Sequence, residues 1–121
     1  MATWTQVTRI LSGLEGVVST TARQGRQWKL LDKLLAWERP LRKSDVEALG
    51  DAAPKGEILA VRVPLEVKDA LLQTKRANGY FTIPHFNGYP AVLVELERLP
   101  QAELKRLLKS AWADRRPASK K

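Results

Sequence analysis

The sequence predicts an α+β domain of two layers, with helices packed on one face of an antiparallel sheet. Two observations carry this. Apolar residues recur at helical spacing near both ends of the chain, while the middle holds short apolar runs separated by turn residues. The composition agrees: 121 residues suit one domain, and 44% hydrophobic with 28% charged residues is a globular balance.

The opening helix begins at a capping box of Thr3 and Gln6. Trp4, Val7, Ile10, Leu11 and Leu14 then fall on one arc, and Gly13 and Gly16 end it. Val17 to Gly25 reads as a loop or a short edge strand. Strands follow around 26–31 and 34–39, with Asp32-Lys33 as the turn. That register sets Trp28 opposite Trp37 and Leu30 opposite Leu35, so both indoles belong to the helix-covered face. Pro40 ends the second strand because it has no N–H for a ladder. A second capping box, Ser44 with Glu47, starts a short helical turn marked by Val46 and Leu49, which stops at Gly50.

After a loop over 51–56, the run 57–63 is apolar nearly throughout and reads as a buried strand. Pro64 suits the first residue of a helix reaching Gln73, with Val67, Ala70 and Leu71 inward. Beyond Asn78-Gly79, the segments 80–83 and 91–95 form a hairpin centred on Asn87-Gly88, which pairs Phe81 with Val94 and Ile83 with Val92. The closing helix, from about Gln101 to Arg115, has an apolar stripe of Leu104, Leu107, Leu108, Ala111 and Trp112. Pro117 terminates it. The expected organisation is one domain over 1–116 and a basic tail over 117–121.

Several chemistries are excluded by residue supply. The chain has no cysteine and one histidine, so it offers no thiolate metal site, disulfide or cysteine nucleophile. Neither a dinucleotide fingerprint nor a phosphate loop can be written from its scattered glycines. His85 is the only imidazole, and no acidic residue lies within nine positions of it. A structural or surface role therefore suits it better than catalysis. We expect no enzyme activity, no metal and no cofactor. The apolar runs are too short for a membrane span and the N-terminus lacks a secretory pattern, so the expected location is cytoplasmic, with no membrane partner.

The charge is the main functional signal. Lys plus Arg number 21 against 13 Asp plus Glu, a formal +8. Residues 100–121 hold +5 of it. On the helical wheel Lys105, Lys109 and Arg116 fall within a narrow arc opposite the leucine stripe, with Arg106 at its edge; Lys120 and Lys121 follow in the tail. Such a stripe is either a solvated helix face or a surface for a polyanion, which attracts Lys and Arg without regard to sequence. Among the four tryptophans, Trp4, Trp28 and Trp112 take core positions. Trp37 leads into Glu38-Arg39-Pro40 and has no such settled place.

Two strings are unusual together: Trp37-Glu38-Arg39-Pro40 and Gly88-Tyr89-Pro90-Ala91-Val92-Leu93-Val94. With Gly25-Arg26-Gln27-Trp28-Lys29, Tyr80-Phe81-Thr82 and Leu107-Leu108-Lys109-Ser110-Ala111-Trp112, they resemble the MmcQ/YjbR family of small proteins assigned DNA binding. The resemblance runs nearly end to end. It implies a fold like CyaY, the bacterial frataxin, described as a double-wing motif. This sequence departs from the family pattern at Asp32, where a glycine is common, and over 17–22. The frataxin relation also raises iron handling, which uses a carboxylate-rich first helix. Here Thr3 to Leu14 has no acidic residue, which argues against it.

The leading expectation is a non-enzymatic DNA-binding protein that uses Lys105, Arg106, Lys109, Arg116, Lys120 and Lys121 on phosphates, with little base selectivity. An interaction module for an acidic protein partner is one alternative. The other is a small-ligand domain, which requires Trp37, Arg39, His85 and Tyr89 to converge on a pocket.

Overall fold

The structure is a computed structural model that describes residues 2–22, 25–54 and 56–115. Helix α1 (Trp4–Ser12) is followed by strands β1 (Val17–Ala22), β2 (Gly25–Leu30) and β3 (Lys33–Glu38), then helix α2 (Lys43–Leu49). Strand β4 (Ile58–Arg62), helix α3 (Leu65–Thr74), strands β5 (Tyr80–Phe81) and β6 (Ala91–Glu95), and helix α4 (Gln101–Arg115) complete the chain. The six strands make one antiparallel sheet in the order β1-β2-β3-β4-β6-β5. The α+β class and its antiparallel sheet are as the sequence predicts.

The first and last helices match their reading. Thr3 and Gln6 form both halves of the capping box. Val7 and Leu11 are buried, and Leu104, Leu107, Leu108 and Ala111 face them from α4. With Val67, Leu71 and Leu72 of α3 they cover one face of the sheet over Trp28, Leu35, Leu59, Val61, Val92 and Val94. The other face carries a smaller cluster of Trp37, Ile58, Ala60, Ile83, Phe86 and Leu93, with Leu49 of α2 against it. Strands β4 and β6 are thus buried on both faces, which is why they read as continuous apolar runs. Among the described residues, no helix is long and apolar enough to cross a membrane.

The first hairpin corrects the sequence reading. Its turn is Leu31-Asp32, one residue earlier than expected, with φ of 54° and 67°. Left-handed dihedrals at both positions match the right-handed twist of the flanking strands. A register shift between Trp28 and Lys29 adds one unpaired residue, Leu35, on β3, so Trp28 pairs with Ala36 and Gln27 with Trp37. The side-chain period of a strand is two, so this slip sends the two indoles to opposite faces. Trp28 joins the helix-covered core and Trp37 the smaller cluster.

Four smaller points refine or correct the sequence reading. Residues 17–22 form a true edge strand paired along its length with β2. In the second hairpin Tyr80 pairs with Val94 and Phe81 with Leu93, and 84–86 winds into a 3-10 turn. In α2 the N-terminal carboxylate is Asp45, not Glu47: Asp45 Oδ2 accepts the Arg42 N–H at 2.9 Å. Asp45 is buried while Val46 is exposed. On α3, Ala70 is exposed and Lys68 is buried.

A pocket and a basic helix face

The shifted register helps to form a concavity on the face of the sheet away from the three helices. Because Trp37 points away from the three-helix layer, it meets the 83–90 segment on the other side of the sheet. Trp37 and Phe86 lie 6.4 Å apart between ring centroids, and Phe86 and Tyr89 meet edge to face at 5.2 Å. His85 lies 6.0 Å from the Phe86 ring. Trp37, Arg39, His85 and Tyr89 all line one cavity of about 710 Å³, together with Gln27, Leu34, Leu41, Arg42 and Phe86. The convergence that the ligand-binding alternative requires is present.

Arg39 holds the frame of this pocket. Its Nη1 donates to Pro40 O at 2.7 Å and to Asp45 Oδ2 at 3.2 Å, and its guanidinium lies 5.5 Å from the Phe86 ring centroid. A buried guanidinium needs such compensation, since desolvation costs several kcal/mol when it is unpaired (about 3–5 kcal/mol on breaking a buried pair). Arg39 is therefore already committed to the protein. Arg42 is exposed on the same rim and has no ion-pair partner among the described residues. On the β2 side, Glu38 accepts from the Arg26 backbone N–H and from Arg26 Nη2 at 3.2 Å. Gly25 makes room for that carboxylate, since a Cβ there would collide with Glu38 Oε1.

The far wall is held by Lys68, which is only 3% exposed. Its ammonium donates to Phe86 O at 2.6 Å and to Tyr89 O at 2.9 Å. Burial pushes the Lys68 pKa down, and the Asp69 carboxylate acts in the opposite direction. Tyr89 is fixed from its other side by Arg62, which sits 5.2 Å from its ring centroid and donates to its hydroxyl at 3.4 Å. Gln27 and Arg42 are pocket residues that sequence reasoning missed, and Lys68, which supports the wall through the Phe86 and Tyr89 carbonyls without lining the cavity, was missed as well. The Gln27 position depends on the hairpin register, and a buried lysine has no sequence marker.

The basic face lies on the other side of the sheet. Lys105, Arg106 and Lys109 are exposed on α4. Arg106 Nη2 donates to Glu103 Oε1 at 3.0 Å, an ion pair whose arginine is 70% exposed. Glu103 also accepts from Lys75 at 3.2 Å and from the Tyr80 hydroxyl at 3.2 Å. Burial pushes the Glu103 carboxyl up, but the bonds from Arg106, Lys75 and Tyr80 outweigh it and hold it below the usual carboxylate range. Burial, followed by the nearby Glu103 charge, raises the Tyr80 pKa. Lys105 shares a groove with Arg9, Gln6 and Ile10 of α1, so the positive surface extends across two helices. Arg116, Lys120 and Lys121 lie outside the described residues, as does the tail over 117–121.

His85 is exposed beside the Phe86 ring, and among the described residues no three His, Cys, Asp or Glu side chains cluster as a metal would require. The fold and these surfaces define a small basic α+β protein. The chain is 49% identical over 122 residues to the uncharacterized protein Rv2570 of Mycobacterium tuberculosis (strain H37Rv), across 97% of this chain and 91% of that one. The same figures hold for the uncharacterized proteins MT2646 of M. tuberculosis (strain CDC 1551) and Mb2600 of Mycobacterium bovis. The chain belongs to the family of these mycobacterial proteins. No family model matches it, and no solved structure matches it.

Proposed function

We propose that the protein is a non-enzymatic DNA-binding module of the MmcQ/YjbR type, with a CyaY-like fold, working in the cytoplasm. The observation that carries the reading is the outer face of α4. Lys105 and Lys109 stand one turn apart, are exposed, and have no carboxylate partner among the described residues. Arg9 extends the same surface in a chain of net charge +8. Lysines on phosphates fix a protein on a duplex without reading bases, so selectivity should be slight.

The test is a salt series of anisotropy titrations against a short labelled duplex. The logarithm of the binding constant should fall with the logarithm of salt, at a slope of roughly −0.9 per phosphate neutralised. The double variant Lys105→Gln, Lys109→Gln should flatten that slope by about two units. A parent that does not bind duplex, or a double variant indistinguishable from it, refutes the reading; an acidic protein partner would then be the better explanation of the charge.

A further inference from the structure

We propose that the cavity between β3 and the 83–90 segment binds an unpaired purine nucleotide, either free or as one base of a single strand. The inference goes beyond duplex binding and uses the opposite face of the sheet. It rests on how four features of the cavity combine. The floor is aromatic and nearly dry: Trp37 is 9% exposed and Phe86 5%. Such a floor accepts a flat apolar body. One cation on the rim is unspent. The Arg39 charge is answered by Asp45 and Pro40 O, whereas Arg42 has no ion-pair partner among the described residues. An anionic group on the ligand supplies one.

The third feature is the opposite rim, where Gln27 pairs with Trp37 across neighbouring strands and therefore shares its face, while the Glu38 carboxylate is already taken by Arg26. An amide offers both a donor and an acceptor, so the Gln27 side chain by itself suits a ring edge with an exocyclic amine beside a ring nitrogen. The fourth is size and rigidity. About 710 Å³ lies within the range of small-molecule sites, roughly 300–1,000 Å³. Lys68 holds the far wall through two backbone carbonyls, so little ordering remains to be done on binding. A flat ring, an amine-bearing edge and a phosphate together describe a purine nucleotide such as adenosine monophosphate. An aromatic amino acid shares part of this pattern, but as a zwitterion it gains nothing from the net charge of +8.

The experiment is calorimetry with adenosine monophosphate, adenosine, inorganic phosphate, phenylalanine and a short oligo-deoxyadenylate. The proposal expects saturable binding of the monophosphate, the oligonucleotide or both, with adenosine about tenfold weaker than its monophosphate for want of the Arg42 contact. Binding of the monophosphate alone identifies the free nucleotide as the source, and binding of the oligonucleotide alone identifies the single strand. Arg42→Gln, an exposed change, should erase the difference between adenosine and its monophosphate, and Gln27→Leu should weaken both. Lys105→Gln, Lys109→Gln should leave the monophosphate unaffected, so this proposal and the duplex reading fail separately. The proposal is overturned if neither nucleotide ligand saturates, or if inorganic phosphate or phenylalanine binds as tightly as the monophosphate. It is equally overturned if Arg42→Gln and Gln27→Leu, folded by circular dichroism, bind as the parent does.

Discussion

Replacing Lys68 with Met should loosen one wall of the pocket and lower stability by about 1–3 kcal/mol. The buried ammonium makes two bonds, at 2.6 Å to Phe86 O and 2.9 Å to Tyr89 O. Hydrogen bonds from charged groups contribute about 1.5–3 kcal/mol each. Two effects reduce the loss. Phe86 O still accepts from the Tyr89 N–H at 3.0 Å and Tyr89 O from the Ala91 N–H at 2.7 Å, so neither carbonyl is orphaned. Methionine also fills the stem's volume without burying a charge. Urea denaturation measures the net change, and amide exchange at Phe86 to Tyr89 locates it. There is a pH signature as well. Burial sets the folded pKa of Lys68 below 10.5, so the folded state binds fewer protons between the two values. The parent should therefore gain stability as pH rises through that window, and Lys68→Met should lack this gain. A variant within about 0.5 kcal/mol of the parent, with unchanged exchange at 86–89, would refute the role given to Lys68.

Trp28→Ala should cost roughly 3–5 kcal/mol, since the indole is 1% exposed and stacked on Trp4 at 6.3 Å. Trp28→Phe should cost clearly less in the same urea assay, because the indole N–H is buried without a hydrogen-bond partner. Leu31→Asn with Asp32→Gly should raise the melting temperature through a gain of about 0.5–1 kcal/mol, as both positions are left-handed and Leu31 is exposed. Glu103→Gln should flatten the acid limb of stability. The Glu103 carboxyl is held below its usual range of about 4.5, so the parent keeps this contribution above that value and loses it as pH falls through the lowered one. An acid denaturation series on both proteins checks this.

Elements governed by local signals were legible. The α1 capping box and the leucine stripe of α4 each depend on residues within one or two turns of each other. The first hairpin was not, because its turn uses Leu31, which does not announce a left-handed backbone, and because a bulge at Leu35 has no composition marker. That single miss reversed the face of Trp37, and with it the location of the pocket floor. The pocket was nonetheless half visible. Trp37, Arg39, His85 and Tyr89 stood out as side chains without a settled core role, and the structure brings them together. Gln27 joins them only through the true register, and Lys68 supports the wall from outside the cavity, buried against backbone carbonyls. On the basic face Lys105 and Lys109 keep their expected exposure, while the Arg106 tie to Glu103 depends on Tyr80 and Lys75, which are distant in sequence.

Mapping backbone amide shifts of the labelled protein during titration with short duplex DNA at low salt tests the proposed function most directly. The account predicts perturbations concentrated at Arg9 and on the Lys105–Lys109 face of α4, with residues 84–89 undisturbed and the shifts reversed by added salt. Perturbations confined to the pocket, or none at all, would contradict it.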